Sequence, residues 1–110
     1  MNLNKSKSKY PIQCPARGVL NLLKGKFTIE ILNEIMKGNI HYGGLLREIL
    51  NVNPRILSLR LRTFEKEGIL KRKVLNTSPP QVEYHLTKKG YDLIPIIEEM
   101  KIWAEKYKKL

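Results

Sequence analysis

The feature that most constrains this chain is a change of period at Gly68. Before it, apolar residues recur at helical spacing; after it, they alternate at every second position. One element cannot satisfy both patterns, so a helix must hand over to strands there. Upstream, Asn53-Pro54 opens the helix, because asparagine caps free N–H groups and proline is pre-set for the first helical position. The helix reaches Glu67, and Gly68 supplies a left-handed stop. Downstream, Ile69 to Leu75 and Gln81 to Thr87 read as strands, the second alternating through Val82, Tyr84 and Leu86. Asn76-Thr77-Ser78-Pro79-Pro80 between them is too long for a tight turn and predicts a hairpin with a projecting tip.

The remaining elements are helical. Residues 1–13, rich in Asn, Lys and Ser and closed by Tyr10-Pro11, predict a flexible arm. Val19, Leu20, Leu22 and Leu23 then form a short apolar helix broken by Lys24-Gly25-Lys26. A second helix runs from about Phe27 to Lys37, with Gly38 as its stop. A third carries Leu45, Leu46, Ile49 and Leu50 until Asn51-Val52 ends it. Thr87 caps a last helix, in which Pro95 predicts a kink. Beyond Pro95, Ile96, Met100, Trp103 and Tyr107 line one stripe, with Ile97 and Ala104 beside it. Four helices, a hairpin and a long helix make a mainly α chain with a small β-hairpin, the winged helix-turn-helix plan with a C-terminal helix. With 110 residues there is room for one such domain, read as 14–90, and the helix of 91–110.

Charge separates the two ends. Lys and Arg number 21 against 10 Asp and Glu, a net charge of +11. In residues 91–110 Asp92, Glu98, Glu99 and Glu105 balance Lys101, Lys106, Lys108 and Lys109, so the whole excess lies in residues 1–90. Such a surplus is the footprint of a polyanion binder, although a merely solubilising surface has the same composition.

On a wheel at about 100° per residue, the helix of 53–67 bears on this choice. Leu57, Leu61 and Phe64 form a core stripe, and Arg55, Ser58, Leu59, Arg62 and Lys66 fall on the opposite face. An α-helix fits the major groove of B-DNA, where arginine can grip a guanine edge, serine can meet a base, and leucine a thymine methyl. Arg55, Ser58, Leu59 and Arg62 are therefore expected to read bases. Lys66, Asn53, His41, and Arg72, Lys73, Asn76, Ser78 and Gln81 of the hairpin are expected to hold phosphates. The blander reading is a solvated charged face.

The order Cys14-Pro15, Lys24-Gly25-Lys26-Phe27-Thr28, Asn53-Pro54-Arg55-Ile56-Leu57-Ser58 to Glu67-Gly68-Ile69, and Pro79-Pro80-Gln81-Val82-Glu83-Tyr84-His85-Leu86-Thr87-Lys88-Lys89-Gly90 resembles the HxlR-type winged helix-turn-helix regulators of transcription over about residues 14–108. The resemblance implies a homodimeric, double-stranded-DNA-binding regulator working on a pseudopalindromic operator. It implies 53–67 as recognition helix and 71–82 as wing. It also implies a C-terminal dimerisation helix, the stripe of Ile96, Met100, Trp103 and Tyr107. In several members the cysteine before the proline senses oxidants or electrophiles, which implies that role for Cys14; a quiet, half-buried thiol is the plainer reading. The chain departs from the family where Lys24 and Phe27 replace a glycine and a tryptophan of Gly-Gly-Lys-Trp. It departs again where Gly43-Gly44 replaces an acidic residue.

Other classes fare worse. One cysteine and two histidines lack metal-ligand spacing, and no nucleophile has a base and an orienting acid, so neither metal, cofactor nor enzymatic activity is expected. No stretch approaches the roughly 18 apolar residues of a membrane span, and the start lacks a secretory apolar run, so the expected location is the cytoplasm. A sequence-independent binder of RNA or chromosomal DNA is the main alternative, a protein-interaction module the third. Against the former, aromatics are 7% and do not interleave with the basic cluster.

Overall fold

Among the described residues, three of the helices begin where a proline dispenses with a free N–H group or a side chain caps one. The computed structural model describes residues 14–108, so the arm expected over 1–13 lies outside the described residues. Helix α1 (Pro15–Leu23) starts on its proline. Helix α2 (Thr28–Met36) follows a tight link in which Thr28 Oγ1 reaches the Leu23 carbonyl at 2.6 Å. Helix α3 spans Tyr42–Glu48, and α4 spans Pro54–Lys66. In α4 the Asn53 side chain accepts from the Ile56 N–H at 2.9 Å, the cap that its sequence predicts. Gly68, at φ +77°, then turns the chain out of the helix.

Strands β1 (Leu70–Leu75) and β2 (Gln81–Leu86) pair antiparallel, Leu70 opposite Leu86 and Leu75 opposite Gln81. A short bridge joins His41 to Glu83, and the Tyr84 N–H donates to the Ile40 carbonyl at 2.8 Å. The hairpin is thereby tied to the α2–α3 connection. Helix α5 (Lys88–Lys106) is capped by Thr87, whose hydroxyl accepts from the Gly90 N–H.

The core gathers Ile31 and Leu32 of α2, Leu45 of α3, Leu57, Leu61 and Phe64 of α4, Ile69 and Leu70 at the start of the hairpin, and Ile97 of α5. Truncating a fully buried residue such as Phe64 to alanine costs about 3–5 kcal/mol, so α4 is anchored from behind.

Several expectations need correcting. Phe27 does not open α2 but precedes it at φ +71°. Leu50 is not part of an apolar helical stripe: α3 ends at Glu48, Asn51 takes φ +69°, and Leu50 is 81% exposed. Val19 and Leu20 of α1 are exposed, and Leu23 alone of that helix is buried. Ile97 turns into the core rather than standing beside the exposed stripe. Helix α5 adds Leu93 and Ile94 to the same core.

Candidate nucleic-acid interface

The outer face of α4 is formed by residues that the core leaves outside. With Leu57, Leu61 and Phe64 at no more than 1% exposure, Arg55, Leu59, Arg62 and Lys66 emerge exposed and Ser58 half-buried. Among the described residues no hydrogen bond or ion pair engages the side chains of Arg55, Arg62 or Lys66. Arg60 behaves differently. Its Nε donates to the Lys26 carbonyl at 2.9 Å, and its guanidinium covers Gly25, where a Cβ would come 2.8 Å from Cζ. Arg60 thus clamps α4 to the α1–α2 link, and Gly25 gives it room.

Asn53 spends its side-chain oxygen on the cap, and its amide N–H groups have no partner among the described residues. Tyr42 is a residue the sequence does not flag. Its hydroxyl lies 3.1 Å from the Pro54 carbonyl and 3.2 Å from Ser58 Oγ, and so fixes the start of α4 against α3.

On the hairpin, register decides which cations act together. Arg72 pairs with Tyr84 and Lys73 with Glu83, so the two neighbours project from opposite faces of the ribbon. Lys73 shares its face with Glu83 and His85. The His85 ring meets the Glu83 carboxylate at 2.8 Å, and His41 approaches its other oxygen at 3.4 Å. The hydrogen bond from His85, with the neighbouring His41 and Lys73 charges, holds the Glu83 carboxyl below its usual 4.5. His85 thus meets a carboxylate while its ring stays partly open to solvent. His41 occupies the cap position of α3 without capping it through its side chain.

Asn76, Ser78 and Gln81 are exposed around the tip, where Thr77 Oγ1 donates to the Pro79 carbonyl at 2.7 Å. Gln81 lines a cleft between α3 and the hairpin base with His41, Gly43 and Arg47. Arg47 is a second residue that the sequence does not flag. It is exposed, forms no ion pair among the described residues, and lies across Gly43. Only its placement on α3 beside the hairpin brings it to this side of the molecule. Gly44, the other member of the glycine pair, is buried and makes way for the Asn39 side chain.

Away from this face, Ile96, Met100, Trp103 and Tyr107 are exposed along α5, Trp103 at 66%, and the Trp103 and Tyr107 rings lie 5.4 Å apart. Cys14 is half-buried at the start of α1. Among the described residues, no His/Cys/Asp/Glu group is arranged to hold a metal ion, and no helix is long and apolar enough to cross a membrane.

Known proteins are similar to this chain in sequence and fold. The family model for HxlR-like helix-turn-helix proteins matches residues 22–110. The HTH-type transcriptional regulator YdeP of Bacillus subtilis is 36% identical over 95 residues, 86% of this chain and 74% of that protein. The regulator BH0655 of Halalkalibacterium halodurans is 35% identical over 103 residues, 93% of this chain and 91% of its own. Among solved structures, a MarR-family transcriptional regulator from Enterococcus faecalis superposes with a TM-score of 0.81 at 31% identity, over 92% of both chains. The redox regulator HypR in its oxidized form gives 0.76 at 34% identity, over 84% of this chain and 96% of that one. These relatives are regulators of transcription rather than enzymes. With five helices and a two-stranded wing among its described residues and a family match over most of its length, the chain belongs to the HxlR-like helix-turn-helix family and is a transcriptional regulator of the helix-turn-helix type.

Proposed function

We propose that the protein is a cytoplasmic homodimer that binds a pseudopalindromic operator in double-stranded DNA, one copy of α4 in each of two major grooves about 34 Å apart. Residues 14–90 act on the DNA, and residues 91–110 supply the dimer contact through Ile96, Met100, Trp103 and Tyr107. The observation that carries the reading is the outer face of α4: Arg55 and Arg62 are exposed and unpaired among the described residues, on a helix pinned from behind by Leu57, Leu61 and Phe64. Arg55, Ser58, Leu59 and Arg62 read bases. His41, Asn53, Lys66, Arg72, Lys73, Asn76, Ser78 and Gln81 hold the backbone, joined by Arg47 from the cleft beside the wing. Competition of genomic fragments against excess nonspecific duplex tests the reading. A few fragments are retained by a sequence-specific regulator, all of them equally by a sequence-independent binder with a steep salt dependence, and none by a protein-interaction module.

Two structural neighbours favour redox control as a second layer. HypR is a redox regulator, and YodB of Bacillus subtilis is known in a diamide-treated form. Cys14 is the one cysteine, so a disulfide would have to join two chains, two thiols giving up two protons and two electrons to the oxidant. Treatment with a thiol oxidant should change operator affinity in the native protein and leave a C14S variant unchanged. An equal response in both removes Cys14 from the mechanism.

A further inference from the structure

The Tyr42 hydroxyl stands between two oxygens of α4, 3.1 Å from the Pro54 carbonyl and 3.2 Å from Ser58 Oγ. A carbonyl can only accept a hydrogen bond, and a phenol has one proton to give. When both contacts are made, that proton goes to Pro54. The Tyr42 oxygen then meets Ser58 with lone pairs alone, so the Ser58 proton is committed to Tyr42. The relay runs from Ser58 to Tyr42 to the Pro54 carbonyl, each bond polarising the next. A helical serine commonly turns back to the carbonyl four residues earlier. Here that carbonyl is the one occupied by Tyr42. What Ser58 has left to present outward is lone pairs.

We propose that Tyr42 is a specificity-determining residue that acts through Ser58, fixing it as a hydrogen-bond acceptor on the outer face of α4. The protein thereby selects an amino-bearing base, adenine or cytosine, on the contacted strand and rejects guanine and thymine there. The assignment rests on the reading that α4 enters the major groove. In that groove adenine offers its N6 amino group and cytosine its N4 amino group, while guanine and thymine turn acceptors toward the protein. A freely rotating serine would suit either class, because its proton can face outward or inward. Phosphate oxygens only accept, so the same relay disqualifies Ser58 as a phosphate holder and reserves it for bases.

Selection of binding sites with the native dimer, Ser58→Ala and Tyr42→Phe tests this. The Tyr42 ring packs against the core, and phenylalanine keeps that packing while deleting the hydroxyl. One position in each half-site should lose its preference in Ser58→Ala. There, replacing the favoured base by an analogue without its amino group should weaken native binding roughly three- to tenfold, the range of one neutral hydrogen bond. The same replacement should leave Ser58→Ala unaffected and cost Tyr42→Phe less than the native protein, with positions read by Arg55 and Arg62 unchanged. The proposal is overturned if Tyr42→Phe keeps the full native discrimination. It is equally overturned if Ser58→Ala alters no position, or alters one indifferent to the amino group; in both cases retained operator selection leaves the regulator reading standing. Absence of any sequence selection by the native protein removes both together.

Discussion

Among the described residues two faces are left uncovered, and their chemistry is opposite. On α4, Arg55, Arg62 and Lys66 are exposed around Leu59, without an acidic partner among the described residues. On the second half of α5, they are Ile96, Met100, Trp103 and Tyr107, among charges that cancel over residues 91–110. A cationic face gains by displacing the counterions of a polyanion, whereas an apolar face gains roughly 25 cal/mol for each Å² it withdraws from water. The first surface calls for a phosphate-bearing partner, the second for another apolar one. In the proposed twofold dimer, a second copy of the same stripe would supply that partner.

Breaking the apolar face should have the largest effect. Met100→Glu places a carboxylate in the stripe, and twofold symmetry would set two of them against the same interface. Met100 lies outside the core, so the domain should fold normally. Sedimentation should report a monomer, and binding to paired half-sites should weaken about hundredfold as the linkage between the two heads is lost. A dimer that survives the substitution would move self-association to another surface.

On the cationic face the expected losses are smaller and sequence-dependent. Arg62→Gln should cost about 1–3 kcal/mol at the operator, relax the preference at one position, and change little on random duplex. Equal losses on both would make Arg62 a backbone clamp.

The wing separates its own two faces. Arg72 and Lys73 are adjacent in sequence yet project oppositely, as their pairing with Tyr84 and Glu83 requires. Arg72→Gln and Lys73→Gln, measured separately, should each reduce the slope of log affinity against log salt by about 0.9 if that residue neutralises a phosphate. A reduction from only one of them identifies the side of the ribbon that meets DNA.

Local rules made much of this architecture legible in the sequence. The period of Leu57, Leu61 and Phe64 placed the buried side of α4, and with it the outward direction of Arg55 and Arg62, because helical geometry fixes both at once. Asn53, Gly68 and Thr87 act at the boundaries their chemistry predicts. What stayed hidden depends on contacts between distant segments. Nothing near Arg60 in sequence shows that its guanidinium will rest on Gly25, and nothing near Tyr42 shows that its hydroxyl will reach Ser58 sixteen residues away. Leu50 misled for the converse reason. An apolar residue at helical spacing continues a stripe only while the helix lasts, and the left-handed backbone at Asn51 lies just beyond the end of α3.

The smallest expected effect lies at Glu83, the carboxylate beside His85, His41 and Lys73. The His85 hydrogen bond, followed by the charges of His41 and Lys73, depresses its folded pKa below 4.5. The unfolded chain therefore binds more protons in that range, and the contribution of Glu83 to stability is complete above about pH 4.5 and lost as the pH falls through the folded value. Glu83→Gln should lower the melting temperature near neutral pH, and the gap from the native protein should close on acidification. A gap that persists in acid would assign the effect to packing at the α3–wing junction instead of charge. The same substitution removes the one acidic group from a wing face that carries Lys71 and Lys73. If that face meets the DNA backbone, Glu83→Gln should tighten binding to any duplex even as it weakens the fold. Opposite signs for the two measurements would show a carboxylate kept to join the wing to α3 at some expense to phosphate contact.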